Sequence, residues 1–377
     1  TEEWKETKLG KIAEITKGSG ISKGQLSEQG SLCILYGELY TKYKSEIINE
    51  VYSRTELDSS SLVKSKANDV IIPCSGETAI DISTARCVPF NNILLGGDLN
   101  IIRLKNNDGG FFAYQLNGTR KKDIARVAQG VSVVHLYGEN LKHIRVYHPA
   151  IEEQKKITRL LSLIDKRIAT QNKIIEDLKK LKSAIIEIEY SPKDSYHSHI
   201  GGAIVQISKR NKDNHLCNVL SVSNRQGFIK QSEQFEDRNV ASDDTSNYKI
   251  VEKNDFAYNP ARINVGSIAR LTKFETGIVS PMYICFRTKD CLLPEYLELF
   301  FESRNFFYHI QKRLEGSVRL CLSYEELCNI PIVIPSIEKQ KQVDLHLSKL
   351  AQKIDLEMKI LQFVQQQKTY LLHQMFI

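Results

Sequence analysis

Pro149-Ala-Ile-Glu-Glu-Gln-Lys155 is the stretch that decides the fold, because it returns 186 residues later as Pro335-Ser-Ile-Glu-Lys-Gln-Lys341. The ungapped match has eleven identities in 38 positions, where ordinary composition gives roughly two or three. At the same offset upstream, Asn68-Asp69 falls on Asn254-Asp255 and Gly130 on Gly316. The 377 residues therefore hold two copies of one unit, each with a divergent head and a similar tail.

Each tail is predicted to be a long helix with a coiled-coil seam, because apolar residues recur there at spacings of three and four. At 1.5 Å per residue, a helix of about 40 residues is ~60 Å long. A narrow seam needs a partner, so we expect the two helices to pack as an antiparallel coiled coil about a pseudo-two-fold axis. The seam residues are Leu161, Ile164, Ile168, Ile175 and Leu178 in the first copy, and Leu347, Leu350, Ile354, Leu361 and Val364 in the second.

Polar residues interrupt both seams and suggest their alignment. Polar seam positions often fix the register of a coiled coil. One stagger of the two helices pairs Lys182 with Glu357. We take this pair as a hypothesis for the register.

The heads read as mixed α/β domains, since short β-rich runs alternate with helical stretches and with Gly- and Ser-rich turns. The predicted fold class is α+β, with two such domains joined by the two long helices. The predicted segments are a first head at 1–148, a first helix at 149–190, a second head at 191–334 and a second helix at 335–377.

Composition excludes several classes of protein. No run of 18 apolar residues occurs and the first residues do not resemble a signal peptide, so we expect a cytoplasmic protein without a membrane partner. The eight cysteines form no Cys-x-x-Cys pair, and His197-Ser-His199 has no acidic or cysteine partner at ligand spacing, so no metal site is predicted. The net charge of +7 is compatible with DNA but spread evenly along the chain.

The chain resembles, over essentially its whole length, the specificity subunits of type I restriction-modification systems. In that family two variable target-recognition domains alternate with similar helices that open with a proline, an apolar residue and a Glu-Gln-Lys-like run, as Pro149–Lys155 and Pro335–Lys341 do here. Trp4-Lys5-x3-Leu9-Gly10-x-Ile12-Ala13 is similar to the usual start of a first recognition domain. The second head, around Ile200–Ile204, lacks the tryptophan, which leaves its first strand in doubt.

The resemblance implies a non-catalytic subunit that binds double-stranded DNA in sequence-specific fashion. Each recognition domain would read one half of a bipartite site, and the helices would set the spacing. Implied partners are two modification (methyltransferase) subunits and, in the full complex, restriction (translocase/nuclease) subunits. The chain itself would bind no cofactor, because S-adenosylmethionine belongs to the modification subunit.

Residue type and loop position select candidate DNA contacts, although a solvated surface role is the competing reading for each. Base edges are read by Arg, Lys, Asn or Gln, and phosphates by Lys, Arg, Ser, Thr and backbone amides. In the first head the candidates are Lys17, Ser19, Lys23, Tyr40, Lys42, Lys44, Ser75, Arg120, Lys121, Lys122, Arg126 and Gln129. In the second they are Asn224, Arg225, Lys230, Asn259, Arg262, Asn264, Arg313, Ser317 and Arg319.

Three other functions were weighed. An adenine methyltransferase needs an Asn/Asp-Pro-Pro-aromatic element, and Asn259-Pro-Ala-Arg262 lacks the second proline and the aromatic ring. Glu153-Gln-Lys155 has the Glu-x-Lys form of a nuclease, but it lies in the first turns of a helix, where such charges commonly face solvent. A coiled-coil adaptor whose heads bind proteins remains the alternative.

Overall fold

The computed structural model describes residues 3–191, 198–224, 226–234, 244–316 and 320–376. His197, one member of the histidine pair, lies outside the described residues. Within them, no helix has both the length and the hydropathy that a membrane span requires. The chain forms two compact units: unit 1 is Thr1–Lys173 with Met358–Ile377, and unit 2 is Ile174–Glu357. Head 1 and head 2 denote the parts of these units that lie outside the two long helices.

Strands and short helices alternate in both heads, and each head is followed by one helix of 39 residues. The strands are β1 (Lys5–Lys8), β2 (Ala13–Lys17), β3 (Ser31–Ile34), β4 (Ser53–Thr55), β5 (Asp69–Pro73), β6 (Ser75–Gly76), β7 (Arg86–Val88), β8 (Leu94–Leu95), β9 (Leu99–Leu104), β10 (Val134–His135), β11 (Arg145–His148), β12 (Ile204–Ile207), β13 (Val219–Ser223), β14 (Gly227–Lys230), β15 (Lys249–Glu252), β16 (Phe256–Tyr258), β17 (Ile268–Arg270), β18 (Thr276–Val279) and β19 (Ile284–Thr288). The helices are α1 (Leu9–Ile12), α2 (Glu38–Thr41), α3 (Ala79–Ile82), α4 (Gly109–Asn117), α5 (Lys121–Val127), α6 (Gly138–Lys142), α7 (Ile151–Glu189), α8 (Ile200–Ala203), α9 (Gln231–Gln234), α10 (Pro294–Phe300), α11 (Arg304–Arg313), α12 (Tyr324–Cys328) and α13 (Ile337–Met375).

The two heads share the strand order of their main sheet and differ by one strand in a second sheet. Head 1 contains a four-stranded sheet in the order β2-β9-β5-β7, and head 2 contains its counterpart, β12-β19-β16-β17. A second sheet has the order β4-β3-β8 in head 1 and β14-β13-β18-β15 in head 2. In both heads one strand pair of this second sheet, β3–β8 or β13–β18, runs parallel. The pair beside it, β3–β4 or β13–β14, runs antiparallel. The α+β class predicted from the sequence is confirmed.

The repeated residues upstream of the helices are positions where the backbone turns. Asn68 and Asn254 have φ angles of 80° and 71°, in the left-handed region that Asn tolerates better than most residues. Gly130 and Gly316 have φ angles of 120° and 123°, which disfavour any side chain. The repeat therefore retains the residues that these turns require, while the rest of each head diverges.

A buried glutamine joins head 1 to the first turn of α7. The side chain of Gln154 is 1% exposed. Its Oε1 accepts a hydrogen bond from the Asp108 backbone N at 2.9 Å. Its Nε2 donates to the Pro149 carbonyl and to Asn107 Oδ1, both at 2.9 Å. One amide thus satisfies backbone groups of the helix start and of the turn that begins α4.

The same arrangement recurs in unit 2. Gln340 is fully buried, and its Oε1 accepts from the Leu293 backbone N at 2.8 Å. Its Nε2 donates to the carbonyls of Pro335 and Cys291, both at 2.9 Å. Sequence reasoning treats a Glu-Gln-Lys run as an ordinary solvated helix start. For Gln154 and Gln340 this is wrong, because each side chain is buried and bonds groups of its head as well as the proline carbonyl before the helix.

Replacing Gln154 with Ala should destabilise the protein by about 2–4 kcal/mol, because it leaves several buried hydrogen-bonding groups without a partner. Gln366→Ala, at an exposed position of α13, is the matched control and should cost less than about 0.5 kcal/mol. Urea unfolding measures both free energies. Equal stability of the two variants would contradict the conclusion that Gln154 joins head 1 to α7.

Side chains of both long helices complete the core of each head. In unit 1, Ile157 and Leu161 of α7 share a hydrophobic cluster with Phe376, just beyond α13. In unit 2, Ile186 of α7 and Leu347 of α13 share a cluster with the interior of head 2. Within each unit, the start of one helix thus accompanies the end of the other, as an antiparallel pair requires. The ten seam residues named above are all buried or half-buried.

A buried ionic network holds the end of α13 against head 1. Lys368 Nζ lies 2.6 Å from Glu46 Oε2 and 2.6 Å from Asp165 Oδ1. Tyr114 Oη donates to Asp165 Oδ2 at 2.6 Å. Burial tends to lower the pKa of Lys368, but the two carboxylates outweigh it and the pKa is raised. Lys368 is therefore a charged residue whose partners come from both a head and the other helix.

The repeat counterpart of Lys368 has a different environment. Lys182 Nζ binds Glu302 Oε2, just beyond α10, at 2.6 Å, and these side chains are 23% and 46% exposed. Glu357 forms its ion pair with Lys353 on its own helix. Between the two helices of unit 2, Lys339 Nζ lies 3.0 Å from Glu189 Oε1. This alignment places position 346 opposite Lys182, eleven residues before Glu357, so the predicted register with Lys182 opposite Glu357 was wrong.

Lys368→Met should cost about 3–5 kcal/mol at neutral pH, because it leaves two buried carboxylates without their cation. Burial raises the pKa of Glu46 while Lys368 opposes the shift, so removing Lys368 should raise the pKa of Glu46 further above that of the unfolded chain. Stability relative to wild type should therefore recover as the pH falls from 7 to 5 and Glu46 takes up a proton.

Lys182→Met is the control, and loss of its exposed ion pair should cost less than about 1 kcal/mol without this pH dependence. Trp4 is the only tryptophan of the chain and lies in the head 1 cluster, so its fluorescence follows the unfolding of that unit. If the free energy of unfolding depended on pH in the same way in Lys368→Met and Lys182→Met, the result would contradict the role of the ionic network.

Candidate nucleic-acid interface

In head 1, the segments that follow β3, β5 and β8 meet at one end of the sheets. The Gly96 backbone N donates to the Ile34 carbonyl at 2.9 Å, and the Cys74 N donates to the Asp98 carbonyl at 2.8 Å. A Cβ placed on Gly76 would lie 3.8 Å from Tyr40 Oη. These three segments form loop cluster 1, in which backbone hydrogen bonds hold loops of distant sequence together.

The counterpart segments of head 2, after β13, β16 and β18, form loop cluster 2. Ser267 Oγ donates to the Val222 carbonyl at 3.0 Å, and the Val222 N donates to Tyr283 Oη at 3.3 Å. A Cβ placed on Gly266 would lie 3.8 Å from Asn224 Cβ. Both heads therefore gather the loops of the same three strands.

A hairpin packs against each loop cluster. In head 1, Gln129 and His135 exchange backbone hydrogen bonds of 2.9 and 2.7 Å, and the Leu136 N donates to the Cys74 carbonyl at 2.7 Å. Val131, at the tip, is 97% exposed. The same three contacts recur in head 2 between Glu315 and Cys321 and between Leu322 and Pro260.

Loop cluster 1 borders a cleft with a volume of about 980 Å³. Ile21, Leu26 and Leu35 form apolar walls, and Lys23 and Lys42 lie at its edge. Concave surfaces with cations at the rim attract phosphates, while aromatic and apolar walls suit bases. The lining also holds two carboxylates, Glu38, which pairs with Lys42, and Asp98.

The predicted contacts in loop cluster 1 and its surroundings fall into two groups. Lys17, Lys23 and Gln129 are exposed and free to reach a ligand. Tyr40 is partly buried, and burial, followed by Tyr36, Asp81 and Glu77, raises its pKa, so its hydroxyl remains a neutral donor.

The second group has structural partners. These predicted contacts are Ser19, whose Oγ accepts from the Val63 N at 2.8 Å; Lys42, bound to Glu38 and Ser53; Lys44, bound to the Thr41 carbonyl; and Ser75, which is buried beside β10.

The basic run at the start of α5 lies apart from the cleft. Arg120 pairs with Asp123 and lies over the Tyr147 ring, and Arg126 pairs with the same aspartate. Lys121 is half-buried, and burial lowers its pKa. Lys122 is exposed on the same helix. Much of this positive charge is therefore already compensated within the head.

In head 2, Asn224, Arg262 and Asn264 belong to loop cluster 2, and Lys230 is exposed at the end of β14. Two other candidates serve the fold. Asn259 is 9% exposed and accepts from the Ala261 N, and Arg313 binds His309, the Asn329 carbonyl and Glu326. Arg225, Ser317 and Arg319 lie outside the described residues.

The sequence reading missed Asp98, Tyr36 and the hairpin tip at Val131. Tyr36 and Asp98 line the cleft. The glycines around Asp98 could have pointed to it, because Gly96 and Gly97 approach Ile34 and Gly20 so closely that a Cβ would be crowded. The described residues contain no group of three or more His, Cys, Asp or Glu arranged to hold a metal ion.

Lys23→Ala should weaken binding to any duplex DNA by a similar factor, because a phosphate contact carries no sequence information. The plot of log K against log salt concentration should become less steep by about one unit. Lys105→Ala, exposed at the end of β9 that is remote from Asp98, is the control. Fluorescence anisotropy at several salt concentrations measures both, and unchanged slopes for Lys23→Ala would remove it from the interface.

Residues 1–180 match the model of the type I restriction modification DNA specificity domain. The putative type I restriction enzyme MjaX specificity subunit of Methanocaldococcus jannaschii is 31% identical over 99 residues. That alignment covers 25% of this chain and 23% of the relative, so the match spans about a quarter of its length.

Two solved structures share the fold over nearly the whole chain. The crystal structure of a type I restriction-modification S subunit from M. genitalium has a TM-score of 0.63 at 15% identity, covering 100% of this chain and 97% of that one. A structure described as showing complex assembly and conformational transition of the type I system has a TM-score of 0.58 at 12% identity, covering 98% and 96%. At these identities the likeness concerns the fold alone.

Proposed function

We propose that this chain, whose residues 1–180 match the model of the type I restriction modification DNA specificity domain, is the DNA-reading subunit of a type I restriction-modification complex. The observation that carries the proposal is the pair of equivalent loop clusters, each built from the loops of the same three strands in a head whose main sheet has the same strand order. Two readers of one design suit a DNA site with two halves.

The repeat suggests how the work is divided. Residues 1–148 and 191–334 would be the two target-recognition domains, and 149–190 and 335–377 the helices that set the spacing between half-sites. Each helix of 39 residues would be ~58 Å long at 1.5 Å per residue. A stiff helix pair is suited to this task, because a flexible linker would let the spacing vary.

The chain would supply recognition and leave the chemistry to its partners. Double-stranded DNA, two modification subunits that carry S-adenosylmethionine, and restriction subunits in the full complex are the partners we propose. Such an assembly would work in the cytoplasm. The alternative, a coiled-coil adaptor whose heads bind proteins, gives no reason for both heads to gather the loops of the same three strands.

Co-expression with the modification subunit, followed by sequencing of methylated adenines, tests the proposal. We expect one motif made of two short halves separated by a fixed number of unspecified bases. Binding of the complex to a duplex with this motif should weaken steeply with salt. A continuous motif, or binding to DNA that does not respond to salt, would favour the adaptor.

Arg262→Ala tests whether one head reads one half. Loss of a base contact in loop cluster 2 should reduce the preference for the correct base by about 1–3 kcal/mol at one or two positions of a single half-site. The preferences in the other half-site should not change. Arg210→Ala, outside loop cluster 2, is the control. Relaxation of positions in both halves would contradict the assignment of one half to each head.

A further inference from the structure

Asp98 is a carboxylate at a place where the proposed function calls for cations. It lines the cleft of head 1 together with Lys23 and Lys42. Lys17 and Asp98 are also both close enough to the Cys74 thiol to influence it: burial raises the pKa of Cys74 to about 11, with Lys17 opposing and Asp98 adding to the shift. A carboxylate among these lysines repels phosphates, so it does not serve affinity for the DNA backbone.

The backbone that carries Asp98 is held rigidly. Its carbonyl accepts from the Cys74 N at 2.8 Å, and the next residue, Leu99, accepts from the Gly18 N at 3.0 Å. On the other side, a Cβ on Gly97 would lie 3.2 Å from Gly20 Cα. The close approach of two glycine-containing turns fixes the position from which the side chain projects, as precise readout requires.

The two carboxylates of the cleft differ in what they bind. Glu38 is 6% exposed and is occupied by the Leu35 N, Lys42 and Ser53. Asp98 is exposed, and its side chain has no hydrogen-bond or ion-pair partner among the described residues. Only Asp98 therefore has an oxygen available to a ligand.

We propose that Asp98 determines specificity in the half-site read by head 1 by accepting a hydrogen bond from an exocyclic amino group of a base. This deepens the proposed function and rests on it. Cytosine N4 in the major groove is the donor that an aspartate or glutamate reads. A carboxylate has no hydrogen to donate, so it is mismatched to the O6 and N7 acceptors of guanine and to O4 of thymine, which gives discrimination as well as binding.

The test compares the wild-type complex with complexes that carry Asp98→Ala and Asp98→Asn. Methylated adenines are sequenced after co-expression with the modification subunit, and affinity is measured on duplexes that vary the assigned position. The wild-type motif should contain a required C·G pair in one half. Asp98→Ala should reduce the preference there by about tenfold while the affinity for unrelated duplexes rises. Asp98→Asn, whose amide can both donate and accept, should admit A·T at the same position.

Glu14→Gln is the matched control, because it removes an exposed charge from the end of β2 remote from Lys17 and Asp98. It should leave the motif unchanged. Trp4 fluorescence during unfolding verifies that each variant is folded.

An unchanged motif in both Asp98 variants, with a folded protein and a split wild-type motif, overturns the inference but leaves the proposed function intact. Relaxation in both halves also overturns it. A wild-type complex without a split motif overturns the proposed function, and the role of Asp98 with it.

Discussion

The packing of helix side chains into the heads is the interaction on which the rest of the structure depends. Phe376, beyond the end of α13, lies 5.1 Å from the Phe111 ring and 6.3 Å from Trp4. Tyr190, beyond the end of α7, lies 4.8 Å from Tyr296 and donates its hydroxyl to that residue's carbonyl at 2.6 Å. A head without these residues lacks part of its core, and a helix without a head exposes an apolar end.

Features that depend on local geometry could be predicted from the sequence. A positive φ angle restricts the residue type, so the turns at Asn68 and Gly130 recur as Asn254 and Gly316 even though the surrounding sequence differs. A coiled-coil seam is equally recognisable in the sequence, because apolar spacings of three and four follow from the helix geometry itself. The α+β class and the long helices were therefore accessible, along with the equivalence of the two copies.

Features that depend on contacts between distant segments were not accessible. A glutamine in the first turn of a helix looks solvated, yet Gln154 is buried because residues about 46 positions earlier, in the turn before α4, supply its partners. Likewise Asn259 and Arg313 have the residue type of a DNA contact but are used within the fold. Donors and acceptors suit both roles, and only the tertiary structure shows which of them are already satisfied.

The two joints between heads and helix ends differ in the carboxylates that surround the lysine. Tyr114, which donates to Asp165 beside Lys368, has Phe300 as its repeat counterpart, and Asp165 has Ala351. The lysine itself is retained, but Lys182 binds Glu302, a carboxylate of head 2 that is 46% exposed. The aromatic residue is retained as well, because Phe376 and Tyr190 are repeat counterparts that each complete the core of a head. The repeat therefore keeps the lysine and the aromatic residue of each joint, while the lysine has two buried carboxylates as partners in unit 1 and one exposed carboxylate in unit 2.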